Sequence, residues 1–128
     1  MAQHIAHKPR EIADCVSAYL QEGDLDGIVS MFHPDCQIFF PPNLPPHKGI
    51  NGARVVFEDF LALRPRIESN VISEVVVGNI ALLQADWSVI APDGTLLAKG
   101  RSTEVAKKLD NGGWGYLIDC PNGLPSLA

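Results

Sequence analysis

The chain has 128 residues, 46% apolar and 20% charged, with a formal charge of −5 and a pI near 5.2, which fits one domain around one core rather than a disordered segment. Apolar runs fall short of the roughly 20 residues that cross a bilayer, and Lys and Arg are scattered rather than striped, which argues against nucleic acid as a partner. The stretch MAQHIAHKPREIADC lacks an apolar signal core, so the expected location is the cytoplasm.

In chain order, Lys8 to Gln21 carries Ile12, Cys15, Val16, Tyr19 and Leu20 at helical spacing, with Pro9 in the first turn and Gly23 as a stop. Asp24 is placed to cap a second helix over LDGIVSMF (25–32), which His33-Pro34-Asp35 should end. CQIFF (36–40) reads as a strand, and PPNLPPHKGING (41–52) as a loop with four prolines. ARVVFEDFLAL (53–63) reads as a third helix capped by Asn51. Strands follow over NVISEVVVG (70–78), NIALLQADWSVIA (79–91), LLAKGRSTEVAKKL (96–109) and WGYLIDC (114–120), with hairpin signals at Asp93-Gly94 and Asn111-Gly112. Helices first and an antiparallel sheet second define an α+β class in a single domain spanning 1–128.

The three cysteines, Cys15, Cys36 and Cys120, are odd in number and widely spaced. That is neither a zinc pattern nor a disulfide framework, and small reduced thiols are expected. The four histidines lack ligand spacing, so neither a metal nor a cofactor is expected. His33 and His47 are minor candidates, and Trp87 and Trp114 read as core or interface aromatics.

GDLDGIVSMF before a short strand, the G-x-x-G helix start at Gly49, VGNIALLQADW, and GRSTEVAKKLDNGGWGYLIDCPNG together resemble the ketosteroid isomerase-like, or SnoaL-like, branch of the nuclear transport factor 2-like superfamily. The resemblance runs from about Arg10 to Gly123. It implies a cystatin-like cone: three N-terminal helices packed on a curved, mostly antiparallel sheet around a conical pocket, and a homodimer through the outer sheet face. The superfamily holds isomerases, cyclases, dehydratases, epoxide hydrolases and binding proteins without catalysis, so fold alone does not name a function. The resemblance places Phe40 where steroid isomerases keep their base, Val16 where they keep a tyrosine, and Thr103 or Val105 near their second acid, with Tyr19 one helical turn from Val16. Phenylalanine cannot take a proton and valine cannot donate one, so steroid isomerisation by that machinery is rejected.

The Asp93-Gly94 turn sets a register in which Ser88 faces Lys99, Asp86 faces Arg101, Gln84 faces Thr103 and Leu82 faces Val105, leaving Leu83, Ala85, Trp87, Val89 and Ala98 on the opposite face. The resemblance turns the Gln84, Asp86 and Ser88 face inward. Asp86 and Arg101 would then be the catalytic pair, acid or base and charge stabiliser, in a pocket whose ligand-binding walls are Val16, Tyr19, Ile38, Phe40, Gln84, Thr103, Val105, Ile118 and Cys120. An ordinary cross-strand ion pair is the rival explanation of Asp86 and Arg101, and an acid-arginine-acid set arises only if Asp119 turns inward. The expectation is a small-molecule-binding protein for an apolar, ring-containing ligand, with proton-transfer chemistry of isomerase, cyclase or hydrolase kind. The alternative is a non-catalytic ligand-binding or structural dimerisation domain.

Overall fold

The computed structural model describes residues 3–127. A 3-10 turn, Pro9–Glu11, leads into helix α1 (Ile12–Glu22), and the Glu11 carboxylate accepts from the His7 and Lys8 amides. Gly23 ends α1 in the left-handed conformation, φ 71°. Asp24 then caps α2 (Leu25–Val29), its carboxylate accepting from the Gly27 amide at 2.9 Å. This short helix presses on α1: Gly27 sits against the Tyr19 ring, where any side chain would collide.

Helix α2 stops three residues before the expected end, because Phe32 already opens strand β1 (Phe32–Ile38). The His33-Pro34 pair therefore lies inside a strand. Strand β1 runs parallel to β6 (Trp114–Cys120), and the pairing breaks register between Phe32 and Gln37. Pro34, which has no N–H to give a ladder, falls in that break. The proline-rich loop is shorter than its composition suggests: β2 (His47–Lys48) and helix α3 (Gly49–Leu63) take its end. Lys48 rather than Asn51 occupies the N-cap of α3, and its side chain makes no capping bond.

The remaining strands are β3 (Arg66–Val77), β4 (Ile80–Ile90) and β5 (Leu96–Lys108). One six-stranded sheet results, in the order β2-β1-β6-β5-β4-β3, antiparallel except for β1 with β6. It curves around the three helices. α1 lies over β3, where the Ser17 hydroxyl accepts from the Ile67 amide at 2.8 Å, and α3 lies over β1. The core joins helix residues Ile12, Val16, Leu20 and Ile28 to Phe32, Ile38, Leu83, Ala106 and Tyr116 of the sheet. Among the described residues no helix is long and apolar enough to cross a membrane.

The β4–β5 register is the expected one: Ser88 opposes Lys99, Asp86 opposes Arg101, Gln84 opposes Thr103 and Leu82 opposes Val105. The turn reaches it differently. Ile90 pairs with Leu96 and Val89 with Ala98, so an irregularity at Leu97 restores the count. The expected direction of the two faces is reversed. Ala81, Leu83, Ala85 and Val89 are buried against the helices, while Leu82, Gln84 and Asp86 are exposed on the convex side. The helices offer apolar side chains, and the alternate strand residues that match them turn inward.

Candidate functional site

The inner face of the sheet, α1 and α3 enclose a cavity of about 100 Å³. Ala13 and Val16 of α1, Val56, Phe57 and Phe60 of α3, and Ile38 of β1 supply much of its wall, with Phe40 just beyond β1. Phe32, Phe57 and Tyr116 stack in a chain, the ring centres of Phe32 lying 5.6 Å from both others, and Phe40 sits 6.2 Å from Phe60. Toward β4 and β5 the lining is Trp87, Val89 and Ala98. The Trp87 indole N–H donates to the Pro121 carbonyl at 2.7 Å. Gly100 faces Trp87 across the ladder, and a Cβ there would fall 3.0 Å from the indole and 2.8 Å from the Asn122 amide nitrogen.

Against this apolar wall stand Ser69 of β3 and a cluster of four further polar side chains, Ser102 and Glu104 of β5 and Tyr116 and Asp119 of β6. Glu104 and Asp119 are direct cross-strand partners, each only 8% exposed. A bulge brings them together. Ala106 opposes Tyr116 while Val105 opposes Ile118, so Leu117 is the extra residue on β6. Without that extra residue Tyr116 and Asp119, three apart, would point to opposite faces; with it both line the cavity.

Burial governs the chemistry of this corner. Desolvation lifts the Glu104 carboxyl from the ordinary 4.5 up to about 7, against the opposing pull of the neighbouring Ser102 and Tyr116 hydroxyls; the Ser102 O–H donates to the Ala85 carbonyl at 3.4 Å. Desolvation, and then the neighbouring Glu104 charge, hold the Asp119 carboxyl well above its ordinary range. The Tyr116 phenol is raised in the same way, first by burial and then by the acids around it. Two facing carboxyls in a dry wall cannot both ionise cheaply. The corner therefore holds an acid pair that burial keeps from losing both protons easily, a combination suited to giving and taking protons.

The expected catalytic pair lies elsewhere. Arg101 grips Asp86 with a fork, Nε to Oδ1 at 2.7 Å and Nη2 to Oδ2 at 3.1 Å. The two side chains are 64% and 48% exposed on the convex face. The Arg101 hydrogen bond lowers the Asp86 carboxyl, so this is a solvated cross-strand ion pair outside the cavity. Of the expected ligand-binding walls, Val16, Ile38 and Phe40 line the cavity. Gln84 and Thr103 share a hydrogen bond of 3.4 Å on the convex face, where Val105 and Ile118 also lie in register with Leu82. Tyr19 is turned away, its hydroxyl accepting from the His4 amide at 2.7 Å and donating to the His4 carbonyl at 3.0 Å. Cys120 is buried opposite Thr103, and burial, with Asp119 and Glu104 next, pushes its thiol up and away from thiolate character.

Glu104, Tyr116 and Ser102 escaped the sequence reading. The signal was present for two of them, since the correct register sets Glu104 against Leu83 and Ser102 against Ala85 on the apolar face. Among the described residues no three His, Cys, Asp or Glu side chains converge as metal ligands, and Cys15, Cys36 and Cys120 are free thiols.

The profile of the SnoaL-like domain matches residues 13–106, and the chain belongs to that family. Proteins of curated function yield no match. Among solved structures, a variant of a protein of unknown function from Mycobacterium tuberculosis superposes with a TM-score of 0.73 at 18% identity, over 86% of this chain and 66% of that one. A proposed scytalone dehydratase from Novosphingobium aromaticivorans gives 0.70 at 14% identity, over 93% and 92%. A domain of unknown function with a cystatin-like fold from Nostoc punctiforme gives 0.69 at 20% identity, over 92% and 76%. At such identities the likeness carries the fold and leaves the chemistry to the site.

Proposed function

We propose that this chain binds a small ring-bearing molecule in its aromatic cavity, in the cytoplasm, and moves a proton on it, with Glu104 as the base and Asp119 as the neutral acid. The observation that carries this reading is the facing of Glu104 and Asp119 in an apolar wall. Ionised Glu104 would take a proton from a carbon beside a carbonyl. The C–H electron pair would pass to the carbonyl oxygen, which the Asp119 O–H stabilises by a hydrogen bond, and return of the proton at another position would complete an isomerisation. Tyr116 holds Glu104 in place. The dehydratase assignment of the Novosphingobium neighbour is consistent with acid-base work in this fold and transfers no substrate.

The test is proton exchange in D2O. Small cyclic carbonyl compounds are incubated with the purified protein, and loss of the proton beside the carbonyl is followed by NMR. Wild type should accelerate exchange over buffer, and Glu104→Gln should lose it by roughly 100-fold or more while still binding. Binding without any exchange, in wild type and variant alike, would favour the non-catalytic reading.

The convex face supports a second proposal, a homodimer, as the family resemblance implies. Val75, Leu82, Val105 and Ile118 form one row across four strands, and Val75 and Leu82 are 58% and 50% exposed. Such a stripe beside the Asp86–Arg101 fork, which supplies both signs of charge, suits a two-fold contact with a second copy.

A further inference from the structure

Three features of the cavity bear on the charge of its ligand. Its lining contains no Lys, Arg or His. Six aromatic rings face it, those of Phe32, Phe40, Phe57, Phe60, Trp87 and Tyr116. Among the described residues nothing donates a hydrogen bond to the Asp119 carboxyl, which is buried and lines the cavity. Glu104 differs, because the Tyr116 phenol bonds to it.

A buried acid pair lacking a protein cation must be neutralised by protons or by something that enters. An anionic ligand would meet two carboxyls and no counter-charge. A cation would meet the negative faces of the rings as well as the carboxyls, and both attractions strengthen where water is excluded.

We propose that the cavity takes a small organic cation, an amine carried on an apolar ring, whose charge sits against the Glu104 and Asp119 carboxyls with its ring among the aromatic side chains. This inference rests on the reading of the cavity as the ligand site and names the ligand's class. Asp119, lacking a partner in the protein, is the anchor for the ammonium; it is ionised in that complex, and its neutral-acid role belongs to an uncharged carbonyl ligand. Glu104, already bonded by the Tyr116 phenol, is left as the base. The other titratable groups that act on this corner are Asp14 from α1, whose charge reaches Tyr116, and the thiols of Cys36 and Cys120. None of them is a cation. A bound ammonium therefore drives protons off the acid pair, and the ligand itself ionises the base that acts on it.

Three probes of one size and different charge decide the matter: benzylamine, benzyl alcohol and benzoate. Each is titrated into the purified full chain by calorimetry in neutral buffer, in two buffers of different ionisation enthalpy, with tryptophan fluorescence as a second readout. Benzylamine should bind about tenfold or more tightly than benzyl alcohol, a difference of about 1.4 kcal/mol, and should release protons. Asp119→Asn should remove the preference and reduce the release while benzyl alcohol still binds. If that variant fails to fold, proton release by wild type decides alone. Equal binding of benzyl alcohol, preference for benzoate, or benzylamine binding without proton release would each overturn the cation and leave the cavity reading standing. Binding of none of the three would remove both.

Discussion

Glu104 and Asp119 bring two carboxyls to one dry wall, and the duties proposed for them rest on their separate surroundings. Burial lifts Glu104 to about 7 against the pull of the nearby hydroxyls, whereas Asp119 has burial and a like charge against it. Conservative amides separate these duties from packing: Glu104→Gln should abolish proton exchange with the melting temperature maintained, and Asp119→Asn should raise that temperature at neutral pH by removing a buried acid. Asp86→Asn makes the contrasting case. Its fork with Arg101 is solvated, so thermal melts and ligand titrations should find both stability and binding close to wild type. The contrast also marks how far residues could be read from the chain. The pairing of Asp86 with Arg101 was read from a two-residue turn and a two-residue period, and it holds because the irregularity at Leu97 restores the count. Its direction was not legible, because a polar row reads alike whether it faces water or a ligand, and the resemblance to the isomerases pointed inward.

Strands and helices were legible where a short-range rule governs them. Gly23, the Asp24 cap and the β4–β5 register follow from backbone conformation, local hydrogen bonding and alternation. The losses came where long-range pairing overrode local signals. Phe32 to Asp35 joins a strand because β6 lies beside it, although Pro34 reads as a break. The bulge at Leu117 cannot be counted from β6 alone, since only the partner strand reveals which residue is extra. The packing of α2 on α1 is testable at this scale. Gly27→Val would drive a side chain into the Tyr19 ring, and chemical denaturation should register a loss of about 1–3 kcal/mol. Gly100→Ala crowds Trp87 and Asn122 instead; its expected mark is a shifted tryptophan emission and weakened ligand binding, with the fold retained by circular dichroism.

For the molecule as a whole, the acid pair sets the pH response. Both carboxyls keep their protons to higher pH folded than unfolded, so the folded chain binds more protons between about pH 4 and about pH 7. Stability is then highest below that window and falls as pH rises through it. Asp86 and Asp93, lowered by their hydrogen bonds to Arg101 and Thr95, act the other way and lose their contribution only at more acid pH. A series of melts across this range should slope downward toward alkaline pH, and Asp119→Asn should flatten the slope. On the convex face, Leu82→Glu places a charge in the exposed apolar row; sedimentation should find the proposed dimer for wild type and a monomer for the variant. The bulge on β6 has a consequence for how such a site can arise. Asp119 reaches the interior because the strand carries one residue more than its partner requires, so the polarity of the cavity wall is set by length as well as by residue type. A lineage or a designer could thus convert this corner from a lone acid beside isoleucine to a facing pair, or back again, by shifting where a single extra residue falls, which decides whether Ile118 or Asp119 stands opposite Glu104.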